Sequence, residues 1–244
     1  DELPVVVRFL LGRIVPAWDG TTLDVGPQLC HAALARAADP NVTPEDVASR
    51  LAEIGDIGTV AESLDTGGQR GLAAFGAEDP DPLTVSEVDD RRRGLADADG
   101  PGSRDRKVET LFGLFTRADP LAARYLARLV LDEMRIGVGE GTLRDAVAEA
   151  FDVSVDAVER AYQVTTDFRV VAGTARESRI DGLAALDVEP GRPVQVMLAE
   201  KSASPAAAVA DAAADGTAVC EYKYDGVRIQ IHVDGGDVWL FTRR

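Results

Sequence analysis

Glu221, Lys223, Asp225, Gly226 and Arg228 fall within eight residues of the run EYKYDGVR, and their types suit attack by an amine on a nucleotide phosphate. A lysine near its reference pKa of about 10.4 is protonated at neutral pH and is no nucleophile. Desolvation, neighbouring positive charge or a bound divalent metal lowers that pKa and frees the lone pair. Arg228 would supply positive charge beside the lysine and stabilise charge on the phosphate. Arginine stays protonated through such chemistry, whereas lysine can give up its proton. Lysine is also scarce: Lys107, Lys201 and Lys223 stand against 23 arginines. Residue by residue, a simpler reading is open, a β-hairpin turned by Asp225-Gly226 with an exposed lysine.

The elements that would position these residues are extended. From Ala218 the pattern has period two: Val219, Glu221 and Lys223 share one face, Cys220, Tyr222 and Tyr224 the other. Val227, Ile229, Ile231 and Val233 then alternate with Arg228, Gln230 and His232, and Asp234-Gly235-Gly236 leads into a third strand over 238–242. The spacing predicts a three-stranded antiparallel meander, too few strands for a stable domain by themselves.

Before about residue 190 the chain reads as helices. Thr43-Pro44-Glu45-Asp46 combines an N-cap, Pro at the first helical position and first-turn acids. Thr84 with Glu87, and approximately Thr142 with Asp145, have capping-box spacing. Ser154 opens a further helix, and Ser204-Pro205 a small Ala-rich one. Asp119-Pro120 opens another, with an apolar stripe of Leu121, Tyr125, Leu126, Leu129, Val130 and Met134. The stretches Thr66–Pro82 and Asp97–Gly102 are expected to be flexible connections.

Between these helices MRIGVGEGTLRDAV places Gly137, Gly139 and Gly141 at alternate positions, with Thr142 expected to cap the following helix. Glycines let a backbone approach a partner closely, and free N–H groups at a helix start attract phosphate. Neutral donors also depend less on salt than Lys/Arg contacts do. The same glycines would serve an ordinary helix–helix turn, which the residues alone favour.

The net charge of −16, taken alone, argues against a nucleic-acid partner. Acidic excess with near-absence of lysine is also the composition of a salt-adapted proteome, where net charge serves solubility. Local charge differs: from Arg91 to Arg144 there are eleven basic and eight acidic residues. A 45% hydrophobic chain of 244 residues suffices for a core, and no apolar run is as long as a membrane span. Cys30 and Cys220 lack metal-ligand spacing and are expected to be reduced, buried thiols of a cytosolic protein. Cys30-His31 has no second Cys/His pair to complete a metal site, so His31 and His232 are expected to be structural. No Gly-rich loop followed by Lys-Ser/Thr supports a P-loop.

KYDGVR matches the K-x-D-G-x-R motif of the covalent nucleotidyltransferases: ATP-dependent DNA ligases, RNA ligases and mRNA capping enzymes. VVVRFLLGRIVPAWDG, PLTVSEV, ARYLARLVLDEMRIGVGEGTLRDAVAEAF and RPVQVMLAE narrow this, for they resemble successive segments of archaeal ATP-dependent DNA ligases, a haloarchaeal member by composition. The resemblance implies a mainly α chain, an all-helical DNA-binding domain over 1–190 and, over 191–244, the first β-strands of an α+β adenylation domain. It implies nick sealing in double-stranded DNA during replication, recombination and repair, with ATP and Mg2+ or another divalent cation. It also implies a monomer in the cytoplasm, a sliding clamp as a further partner, and no membrane.

Residue by residue, the resemblance makes Lys223 the group that carries AMP, Glu221 the reader of the adenine amino group, and Arg228 and Arg243 contacts to the nucleotide. It makes Arg135, Ile136, Gly137 and Gly139 part of a backbone grip on DNA phosphates, with Arg104 and Lys107 as further DNA contacts. The metal ligands, the ribose-binding glutamate and an OB domain are expected beyond Arg244, and the start at Asp1 points to a missing N-terminus. The 244 residues alone are therefore expected to be inactive. An RNA ligase or capping enzyme, or a non-catalytic helical DNA-binding module, are the competing expectations.

Overall fold

The structure, a computed structural model, describes residues 2–16, 18–64, 66, 81–196, 201–213, 217–222 and 224–242. Among them eleven helices precede a two-stranded sheet. The helices are α1 (Leu3–Leu10), α2 (Pro27–Ala37), α3 (Pro44–Ile54), α4 (Ile57–Ser63), α5 (Val85–Ala96), α6 (Ser103–Phe115), α7 (Pro120–Val130), α8 (Glu140–Phe151), α9 (Val155–Thr165), α10 (Phe168–Ala185) and α11 (Pro205–Ala212). The strands are β1 (Ile229–Asp234) and β2 (Asp237–Thr242).

Most start signals in the sequence act as read. Thr43 and Asp46 form a reciprocal capping box, and Thr84, Asp119, Ser154 and Ser204 each accept a bond from a backbone N–H three residues on. Thr142 does not. α8 begins at Glu140, because Gly139 is extended (φ −110°, ψ 178°) and takes the N-cap position, which leaves Thr142 inside the first turn. On α7 the buried apolar residues are Ala123, Leu126, Ala127, Leu129 and Val130, while Leu121 and Tyr125 face outward. Small residues win that face because α7 lies close against α4. Met134 lies past the helix end and still packs on the core.

The helices build two apolar cores. The first gathers α2 to α7 around Leu34, Val47, Val60, Leu95, Leu111, Phe115 and Val130. The second gathers α1 and α8 to α10 around Val7, Leu143, Val158, Ala161, Phe168 and Val171. α1 thus packs on the far end of the helical region, and a buried ion pair locks it there: Arg8 donates to Asp167 Oδ2 at 2.5 Å and to the Ile14 carbonyl at 2.8 Å. Asp167 also caps α10 through the Arg169 N–H. The chain passes from the first core to the second through residues 131–139, so the glycine-rich stretch lies at the seam between them.

The sheet corrects the meander. Among the described residues only β1 and β2 pair, antiparallel, from Ile229 with Thr242 to Asp234 with Asp237. Among the described residues 217–222 and 224–228 there is no strand, and Val219, Tyr222 and Tyr224 are more than four-fifths exposed. Alternation specifies a strand only where a paired strand takes its hydrogen bonds and a surface covers one face, and Val219, Tyr222 and Tyr224 stand open to solvent. Asp225-Gly226 therefore does not turn a paired hairpin; Gly235-Gly236 does. Residues 67–80 of the expected Thr66–Pro82 connection lie outside the described residues.

Candidate functional site

The glycine-rich stretch is held from behind by three arginines. Arg92, fully buried, donates to the Leu129 carbonyl at 2.9 Å and so satisfies the C-terminal end of α7. Burial lowers its pKa to about 10, with Asp132 and Asp89 opposing. Arg128 makes a two-pronged pair with Asp56, Nε to Oδ1 at 3.1 Å and a terminal nitrogen to Oδ2 at 2.7 Å, and reaches the Met134 carbonyl at 3.4 Å. Asp56 at the same time caps α4 through the Thr59 N–H and hydroxyl at 2.9 and 2.6 Å. The Arg128 bond, aided by Thr59, holds the Asp56 carboxyl far below the usual carboxylate range against the opposing effect of burial. Gly58 makes this possible: a Cβ there would sit 2.5 Å from Arg128 Nε. Arg135, at φ +50°, donates to the Gly55 carbonyl and to Glu133, both at 2.8 Å.

The front of the stretch is open. Gly137 takes a left-handed φ of +71°, which favours glycine, and a Cβ on Gly137, Gly139 or Gly141 would meet no atom within 4 Å. Ile136 is half-buried. Gly139 has no side chain with which to cap α8, so the amides of its first turn lack the side-chain partner that seven other helices have. The first-turn carboxylate of Glu140 is drawn aside by Arg13 at 3.1 Å and by the Gln195 amide at 3.3 Å. An uncapped helix start in an open backbone loop is chemically suited to an anion.

The basic excess between Arg91 and Arg144 is mostly internal. Arg93 pairs with Asp89, Arg117 with Glu87, Arg124 with Glu62, and Arg144 with Asp145 and Glu159. Lys107 is buried, and its Nζ donates to the Leu23 carbonyl at 2.8 Å, so it is not presented to a duplex here. Arg104 is exposed and has no hydrogen bond or ion pair among the described residues. Most of this positive charge is paired within the protein, and the neutral backbone donors of the glycine loop are left open.

Lys223 and Arg243 lie outside the described residues. Glu221 and Arg228 are exposed, on either side of Lys223 in the chain. Cys30 is buried as expected, its thiol pushed up to about 12 by burial, but Cys220 departs from expectation and is exposed, since its segment joins no sheet. His31 is buried within α2, and His232 Nδ1 accepts the Gly191 N–H at 3.1 Å. Among the described residues no three His, Cys, Asp or Glu side chains gather as a metal site, and no helix is long and apolar enough to cross a membrane. Sequence reasoning missed Asp56, Gly58 and Glu140. Asp56 had a legible signal, a capping residue three before Thr59; the other two act through contacts distant in sequence.

Residues 1–148 match the family described as DNA ligase N terminus, and residues 196–244 match the ATP dependent DNA ligase domain. The chain belongs to the DNA ligase family. It is 53% identical over its whole length to a DNA ligase of Haloferax volcanii, covering 46% of that protein. It is 56% identical over its whole length to a DNA ligase of Haloarcula marismortui, covering 44%, and 41% identical to one of Methanothermobacter thermautotrophicus, covering 42%. The chain thus spans less than half the length of these relatives.

Proposed function

We propose that the protein carrying this chain is an ATP-dependent DNA ligase that seals nicks in double-stranded DNA through a lysyl-AMP intermediate, in replication, repair and recombination. The observation that carries this reading is the place of Lys223–Arg228 within the segment matched to the ATP dependent DNA ligase domain, after a helical body matched to the DNA ligase N terminus. The Lys223 amine, once deprotonated, attacks the α-phosphate of ATP; a P–N bond forms, the P–O bond to pyrophosphate breaks, and the amine proton passes to solvent. Glu221 suits a hydrogen bond from the adenine amino group, and Arg228 and Arg243 suit the nucleotide's phosphate or ribose. A divalent cation would neutralise phosphate charge in this step, and the described residues assign it no ligands.

DNA would be held by phosphates at the backbone of Gly137, Gly139 and the first turn of α8, with Arg135 and Ile136 shaping the loop and Arg104 as an outlying contact. Lys107 enters this reading as a support of the helical body. The same reading carries a cytoplasmic monomer, with a sliding clamp as a further partner.

The test uses the full-length protein, α-labelled ATP and a divalent metal. An acid-labile label on the protein, absent from Lys223→Ala, is the expected result. A label that persists in Lys223→Ala removes the assignment, and sealing of nicked RNA in place of nicked DNA would move the protein to another nucleotidyltransferase class.

A further inference from the structure

Gln230 and Gln195 have no part in the chemistry above, yet both are tied at both ends. β1 turns Gln230 and His232 to one face and Ile229, Ile231 and Val233 to the other, and the aliphatic set is the exposed one. Hydrophobic burial alone would choose the opposite face. The face turned inward meets the segment 191–195. Gln230 Oε1 accepts the Val194 N–H at 3.0 Å and Gln230 Nε2 donates to the Val194 carbonyl at 2.7 Å, so one side chain satisfies both backbone groups of one residue. His232 binds the Gly191 N–H, and Gly191 lies against the Trp239 ring from the paired strand. Beyond them Phe241 meets Trp18 edge to face at 6.3 Å.

The other edge of 191–195 is fastened to the second helical core. The Gln195 N–H donates to the Gln163 carbonyl at 2.8 Å, and the Thr166 hydroxyl donates to the Pro193 carbonyl at 3.2 Å. The Gln195 side chain reaches Glu140, the residue between Gly139 and Gly141. A hydrogen-bonded path therefore runs from the open glycine loop through Glu140, Gln195, Val194 and Gln230 to β1, two residues after Arg228.

We propose that Gln195 and Gln230 are positioning residues: through the strap 191–195 they fix the nucleotide-bearing segment relative to the DNA-phosphate loop, so that AMP is presented to a duplex bound there. Directional amide bonds set register and angle where apolar packing would leave the hairpin free to slide. This inference rests on the ligase reading for its consequence, though not for its geometry.

The test makes Gln230→Leu and Gln195→Leu in the full-length protein, with Cys220 and any other exposed cysteine changed to Ser and spin labels at Glu53→Cys on α3 and Asp237→Cys on β2. Cys30 is buried and stays unlabelled. A narrow distance distribution in the parent should broaden in each Leu variant. DNA-independent labelling by ATP should stay within about twofold in both variants, as should the duplex affinity of Gln230→Leu, while transfer of label from pre-loaded protein to saturating nicked duplex slows about tenfold in both, as expected for misplacement of reacting groups. An unchanged distribution would overturn the strap. Equal losses in labelling and transfer would overturn it too, by putting Gln230 in the nucleotide site. A parent that takes no label sinks the ligase reading instead, and the distances still decide the geometry.

Discussion

At the scale of single residues, Asp56 shows how one side chain serves both fold and site. It caps α4, pairs with Arg128 and, through Arg128, holds the Met134 carbonyl. Its folded pKa lies below the ordinary value of about 3.9. The unfolded state therefore binds the proton more readily, and the stabilisation is complete above that ordinary value and disappears as pH falls through the folded one. Asp56→Ala should cost about 3 kcal/mol at neutral pH, since it removes a cap and strands a nearly buried arginine. Denaturant titration at neutral and acid pH checks this; a difference between variant and parent that stays constant into strong acid would argue against the pair. Lys107→Met and Arg104→Ala separate support from contact. The first should lower the midpoint of unfolding with duplex affinity intact, and the second should weaken duplex binding and leave stability unchanged, by calorimetry and fluorescence anisotropy.

At the scale of elements, the proposed DNA contact falls on the turn from α7 into α8. Gly139 has an ordinary extended φ and faces open space, so a side chain can be added there with little strain. Gly139→Val should weaken duplex binding about tenfold by covering the first-turn amides, a loss of roughly one to two hydrogen bonds. Gly137→Val adds the strain of a left-handed φ, so it should also lower stability. Because the donors are neutral, log affinity should fall with log salt much less steeply than about 0.9 per neutralised phosphate. A steep slope, or wild-type affinity in Gly139→Val at matched salt, would transfer the contact to side-chain cations such as Arg104. The sequence announced this turn through its glycines, but not the α8 boundary. Thr142 has the spacing of a cap, yet Gly139 becomes extended and starts the helix three residues before Thr142's own first turn could begin.

Across the whole molecule, a net charge of −16 coexists with arginines drawn into internal ion pairs. Self-repulsion should then dominate at low ionic strength, where the screening length is about 10 Å at 0.1 M against about 3 Å at 1 M. The midpoint of thermal unfolding should rise as KCl goes from dilute to molar, and a fall would mean that attractive pairs outweigh the repulsion. Composition, capping residues and the K-x-D-G-x-R spacing were decided by the sequence itself, because each depends on neighbours within a few residues. The helical character of the first part, the change to strands and the proposal of Lys223, Glu221 and Arg228 as the chemistry-bearing group followed from those. Tertiary structure alone decided the rest. It divided the helices into two cores with the glycine loop at their seam, withdrew Lys107 into the body, and left residues 217–222 outside any sheet. It also turned Gln230 inward where Ile229 and Ile231 had the better claim to burial. Those outcomes depend on which distant segment offers a hydrogen-bond partner or a covering face, and no local pattern of residues carries that information.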